Sequence, residues 1–361
     1  MVHLVFAVIL ALTVIGSKKN KVFTIIAFFF LWLFAALRYM YGNDYYSYFR
    51  VFIYIHNGGS SPFDGEILFT FLNQICPSFY LLIALTSATF LFVVYQLLSK
   101  NLPQAYIYLG MFIFLINPYL FLMNLSALRQ NLALLIFVAA VHFSSKRQFI
   151  PYALLIFIAS MFHQSAWILL PAYFVAHDRP MRKYESVCVA FIVIVLLFWP
   201  GLRTLVNNFI ALFDNKNYTN YATQELSNSL RATLLTGVTF IYVLCNLHKL
   251  EGTSVKYGKL CLISTGLGVL AYQLSMFTRI QMYFELFSII AIPQIFLAVQ
   301  SQGPVIVDGR RPLKSFWDCV NKYVLPFLIV VIYLLRYYSF FTNPMWEPFF
   351  HYQTFLKLPK L

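Results

Sequence analysis

Apolar runs of helix length alternate with short polar clusters from one end of the chain to the other. A membrane span needs about 17–25 mostly apolar residues. The runs predict helices near 2–16, 22–37, 79–98, 104–123, 126–143, 149–162, 164–177, 186–203, 231–248, 258–277, 280–299 and 323–341. Several are shorter than a full span, which predicts tilted, broken or re-entrant pieces. No repeat, low-complexity tract or linker divides the sequence. The pattern therefore predicts an all-α polytopic membrane protein, a bundle of about 11–12 transmembrane helices. It forms one domain over 1–361, with outer loops near 38–78 and 203–231.

Composition strengthens that picture. The chain is 61% hydrophobic and 11% charged, against about 25% charged in soluble domains. A net charge of +14 would suggest nucleic acid in a soluble protein. Here the positive-inside rule accounts for most of it, so membrane lipid and not nucleic acid is the expected partner. Residues 1–16 lack a preceding basic segment, while Lys18, Lys19 and Lys21 follow them. That order predicts an uncleaved helix with its N-terminus outside. Most remaining lysines then fall in cytoplasmic loops, and Arg38, Arg50, Arg129 and Arg279 fall on the outer side. The five cysteines show neither CxxC nor histidine at metal-ligand spacing, so no metal site, cofactor or disulfide framework is expected.

Four polar clusters carry candidate chemistry. Arg38 to Tyr48 packs a cation, Asp44 and five tyrosines at the outer end of a helix, and Glu66 follows Gly65 in the same loop. A carboxylate there suits a general base on a sugar hydroxyl, and tyrosines suit pyranose faces. An interfacial aromatic belt with an Arg38–Asp44 ion pair is the plainer alternative. In the second cluster Ser126, Arg129 and Gln130 share one helical face. It is either a buried polar site or an arginine snorkelling to headgroups. The third places His163 at the tip of a shallow hairpin, as a general base or as a structural histidine. In the fourth, Arg279 shares a face with Tyr283, and Gln281 with Glu285, which is a functional or a structural charge inside an apolar run. The loop 203–231, with Tyr218 and Tyr221, reads as a sugar-facing lid or a solvated loop.

In this order the clusters resemble the EpsG family of Wzy-type O-antigen and exopolysaccharide polymerases. The features are Arg38-Tyr39, Gly42, Asp44-Tyr45 and Tyr48, then Gly65-Glu66, Leu128-Arg129-Gln130, Phe162-His163-Gln164-Ser165-Ala166, and Arg279 with Tyr283-Phe284. The likeness runs from about residue 30 to 295. Near the C-terminus the family often shows Pro-Tyr where this chain has His351-Tyr352. The resemblance implies a metal-independent, inverting glycosyltransferase of the GT-C-like group in the bacterial inner membrane, with its active site facing the periplasm. It would move a glycan from undecaprenyl pyrophosphate to a lipid-linked repeat unit, beside a flippase and a chain-length regulator. Asp44, His163 and Glu66 are then the expected catalytic residues. Arg38, Tyr45, Tyr48, Arg129, Gln130, Arg279 and Tyr283 are the expected substrate-binding ones.

Two other classes use the same features. A flippase or transporter for such lipids needs the outer cations but no base, and a membrane acyltransferase acting on surface sugars also places His and Arg in the bilayer. Ligase-type transfer to a lipid core is a nearer variant.

Overall fold

Prolines decide where several apolar runs break. The computed structural model describes residues 2–211, 230–301 and 316–357. Their contacts form two compact units, one of residues 1–177 with 333–361, the other of residues 178–332.

The first unit opens with α1 (Val2–Lys18) and α2 (Val22–Ala36), joined by the exposed basic turn at Lys19 and Lys21 and packed on one another. A two-residue strand, β1 (Arg38–Tyr39), leads to α3 (Tyr45–His56) and α4 (Ile67–Ile75). Both helices lie where the polar pattern predicts only an outer loop. α3 forms because Tyr45, Tyr48, Phe52 and Ile55 fall at helical spacing and bury together on Phe69, Cys76, Phe79 and Leu128.

The long helix α5 (Phe79–Asn101) starts at Ser78, whose hydroxyl accepts the Leu81 N–H at 3.2 Å. α2 packs along it, with the Trp32 indole N–H donating to the Ala84 carbonyl at 3.0 Å. The run expected as one helix over 104–123 is two, α6 (Ile107–Ile116) and α7 (Leu122–Ser126). Pro118 is the reason: it has no N–H to give and holds Asn117 extended, at ψ 103°.

The start expected near 126 is also displaced. Ala127 leaves helical geometry (φ −88°, ψ 62°), so Ser126 ends α7 and α8 runs Leu128–Ser145. Ser126 therefore does not share one continuous helical face with Arg129 and Gln130. α9 (Phe149–Ser160) folds back on α8, and a 3-10 helix, Gln164–Phe174, follows where an α-helix over 164–177 is expected. Pro171 removes a backbone donor inside that segment. The Ser144 hydroxyl anchors it by donating to the Tyr173 carbonyl at 2.7 Å.

The C-terminal residues close the unit. β2 (Gln353–Thr354) pairs antiparallel with β1, Arg38 opposite Thr354. Tyr352 stacks on Phe34 at 4.3 Å and donates to its carbonyl at 2.7 Å. Tyr352 thus anchors the tail to the end of α2.

In the second unit the run expected near 186–203 is α10 (Lys183–Phe198) and α11 (Gly201–Ala211), broken where Pro200 holds Trp199 extended. The helix Ser254–Leu270 packs against Leu230–Asn246, Met276–Glu285 and Ser288–Ser301. The run expected as one helix over 280–299 is broken, since the last two bend by 63° at their junction between Glu285 and Ser288. Asn246 and Asn321 exchange amide hydrogen bonds of 2.6 and 2.7 Å.

Among the described residues three helices are long and apolar enough to cross a membrane: Phe79–Asn101, Leu128–Ser145 and Phe316–Thr342. The bent pair makes a fourth, and shorter apolar helices include Val2–Lys18, Val22–Ala36 and Phe149–Ser160. Fewer elements thus meet full span length than the 11–12 expected, because the prolines and polar breaks above divide several runs. Among the described residues the chain is an all-α membrane protein apart from the β1–β2 pair.

Candidate functional site: an Arg–Glu–His cluster

Glu66 stands at the N-cap of α4, where unpaired backbone N–H groups favour negative charge. Its side chain is 5% exposed and accepts on both oxygens. Arg129 Nη1 donates to Oε2 at 2.7 Å, and His163 Nδ1 lies 2.8 Å from Oε1. The Gln164 backbone N–H reaches the same Oε1 at 3.4 Å.

Three separated stretches are drawn together by backbone ties. The Leu68 N–H, one of the orphan donors of the α4 N-terminus, bonds the Met161 carbonyl at 3.1 Å. The Gln164 side-chain amide donates to the Asp64 carbonyl. Gly65 makes the close approach between these segments, with φ +77° and Gln164 Nε2 where a Cβ would stand. The turn Met161–His163 between α9 and the 3-10 helix thus carries His163 to Glu66, at the hairpin tip that the sequence predicts.

Arg129 sits in the first turn of α8 and is held flat. Its Cζ lies 3.7 Å from the centroid of the Phe63 ring, and its Nε is 3.4 Å from the Tyr48 hydroxyl. A guanidinium on an aromatic face is both attracted and oriented. Burial pushes the Glu66 carboxyl up, but the His163 hydrogen bond and the Arg129 charge outweigh it and hold it below the usual carboxylate range. Glu66 is therefore ionised at neutral pH and accepts from His163 Nδ1, so Nε2 is the ring nitrogen outside the bridge. Burial raises the Tyr48 phenol, so it stays protonated.

The other predicted residues fall in different settings. Asp44 is exposed at the N-cap of α3, and its backbone N–H donates to the Ser126 hydroxyl at 3.0 Å. Gly42 turns the chain ahead of it at φ +113°. Arg38 is 1% exposed. Its guanidinium donates to the Ala35 carbonyl, to the Ser87 hydroxyl at 3.0 Å and to the Leu125 carbonyl at 3.1 Å. It does not pair with Asp44. Burial lowers it to about 10, still cationic at neutral pH.

Tyr45 and Tyr48 turn inward, their rings edge-on to Phe79 and Phe69. The Tyr45 hydroxyl donates to the Arg38 carbonyl. Gln130 is buried in α8. In the second unit Arg279 is exposed on its helix and Tyr283 is 1% exposed. The buried Glu285 accepts from Ser264 and, at 2.9 Å, from Gln281, the face-sharing pair the sequence predicts. Tyr218 and Tyr221 lie outside the described residues.

Sequence reasoning missed Phe63, which carries no signal beyond its position three residues before Glu66. It also missed Ser87 as an Arg38 partner, a hydroxyl inside an apolar helix.

Membrane-length helices with a partly exposed Arg–Glu–His cluster define a helical membrane protein that carries a polar cluster. The chain belongs to the EpsG family, whose profile matches residues 21–303. Membership points to a glycosyltransferase-type enzyme with a polymerase-type role in surface-polysaccharide synthesis. No curated protein and no solved structure matches the chain.

Proposed function

We propose that this protein is an O-antigen or exopolysaccharide polymerase of Wzy type, an inverting, metal-independent enzyme of the GT-C-like group. It transfers a growing glycan from undecaprenyl pyrophosphate to the non-reducing end of a lipid-linked repeat unit. In this reading it works at the outer face of the inner membrane, beside a flippase and a chain-length regulator. The observation that carries the reading is the Glu66 carboxylate bridging Arg129 and His163.

The chemistry follows from that bridge. His163 Nε2 takes the proton of the acceptor hydroxyl while Glu66 at Nδ1 stabilises the imidazolium that forms. The acceptor oxygen bonds the anomeric carbon, and the bond from that carbon to the pyrophosphate oxygen breaks. Its electron pair leaves on the pyrophosphate, whose added charge meets the free edge of the Arg129 guanidinium. The proton on His163 then passes to solvent. Asp44, exposed at the start of α3, orients the acceptor. Gln130 in α8 keeps a substrate-binding role, as do Arg279 and Tyr283 within their own unit. Arg38, Tyr45 and Tyr48 frame the site from the interior.

The test supplies purified protein in lipid with a lipid-pyrophosphate-linked repeat unit, no nucleotide sugar and excess chelator. A ladder of product lengths, lost in Arg129→Ala, is expected. Unchanged starting material with a verified native repeat unit contradicts the reading and turns attention to lipid transport.

A further inference from the structure

The helix α3 has two aromatic faces, and packing accounts for only one. Tyr45, Tyr48, Phe52 and Ile55 are buried. Tyr46, Arg50 and Tyr54, at four-residue spacing, are exposed on the opposite side. Tyr46 and Tyr54 are 53% and 55% exposed. This face forms the wall of an open groove of about 500 Å³, whose lining includes Tyr46, Ser47, Arg50, Tyr54, Asn57 and Pro62. Binding pockets for small molecules run to about 300–1,000 Å³.

The groove is built. Arg50 Cζ lies 5.9 Å from the Tyr46 centroid. The Gly59 N–H bonds the Tyr54 carbonyl at 3.0 Å. At Gly59 a Cβ would run into the Tyr54 ring, so only glycine leaves that ring its place. Two aromatic rings flanking a guanidinium, with an amide and a hydroxyl beside them, match a glycan: rings cover the C–H face of a pyranose, and Arg50, Asn57 and Ser47 meet its oxygens. The lining contains no carboxylate, so acidic sugars are accommodated as readily as neutral ones.

The groove is continuous in sequence with the Arg–Glu–His cluster on two segments. Tyr46 and Ser47 adjoin Tyr48, which contacts Arg129, and Pro62 adjoins Phe63, which lies under the same guanidinium. We propose that the exposed face of α3 is a glycan-holding subsite, which binds sugar residues of the polymer beyond those that react. The proposal rests on the polymerase reading for the identity of the glycan. The subsite keeps the chain engaged between transfers, so that product length depends on it while single transfers do not.

The test uses the full-length protein in lipid and two readouts. In the first, polymer fragments released from their lipid by mild acid are titrated against wild type, Tyr54→Ala, Arg50→Ala and Tyr54→Phe. The alanine variants should bind on the order of tenfold more weakly, and Tyr54→Phe, which keeps the ring, should bind as wild type. In the second, the alanine variants should give shorter products with an unchanged rate of single transfer. Equal binding and equal product lengths in all variants would overturn the subsite and leave this face as an interfacial aromatic belt. Failure of the polymerase reading looks different: wild type makes no ladder, whatever the fragments do.

Discussion

Glu66 accepts Arg129 on one carboxylate oxygen and His163 on the other, at 2.7 and 2.8 Å, while only 5% exposed. A single buried anion thus fixes the position of a cation and of a histidine.

Glu66→Gln keeps the shape and removes the charge. The amide cannot accept on both atoms, so either Arg129 or His163 loses its partner. Transfer should fall by about 10²–10⁴, the range for loss of a positioned general base. Wild-type activity in this variant, measured as ladder formation, would show that the bridge is structural.

The same carboxylate predicts a pH dependence of stability. Its folded-state pKa lies below the ordinary 4.5, so its stabilising contribution is complete above that value. It is lost as pH falls through the lower folded-state value. Melting temperature in detergent, followed from pH 6 downward, should drop more steeply in wild type than in Glu66→Gln. Parallel curves would contradict the pairing.

Arg129→Lys preserves a positive charge but not the planar fork that lies on Phe63 and reaches both Glu66 and Tyr48. Most activity should be lost with the folded yield little changed. An active lysine variant would mean that the site needs a point charge only.

Arg38 should behave in the opposite way. Its two terminal nitrogens donate to Ala35, Ser87 and Leu125 in the interior, while the buried Nε makes no hydrogen bond. Arg38→Ala leaves those acceptors unpaired, at about 1–3 kcal/mol each. Folded yield should collapse, while the molecules that do fold retain their turnover. A well-folded but inactive variant would return Arg38 to substrate binding.

Gly65→Ala introduces a side chain at φ +77° and against Gln164. Strain of about 1–3 kcal/mol is expected, with displacement of His163 from Glu66. Thermal unfolding and activity should both suffer, and Gln164→Ala in the same chain should recover part of the loss. No recovery would place the damage in the backbone alone.

Much of this site was legible before the fold was known, but only in fragments. Glu66 is legible as a carboxylate of the outer loop, Arg129 as an outer cation with polar neighbours, and His163 as the polar break between two apolar halves. Their convergence was not legible, since it depends on the α3–α4 excursion and on the hairpin turn at Met161–His163. The α3 helix was hidden by its own polar and aromatic mixture, which reads as a loop until its inward face is known. Breaks at Asn117 and Trp199 followed from prolines that hydropathy overlooks, and Tyr45 and Tyr48 were indistinguishable in sequence from their outward neighbour Tyr46.

The most direct measurement is a double-mutant comparison of transfer rate in His163→Ala, Glu66→Gln and the two combined. If Glu66 acts through His163, the double variant is no slower than His163→Ala alone. Multiplied losses, or a His163→Ala protein that still builds the ladder at the wild-type rate, would contradict the mechanism.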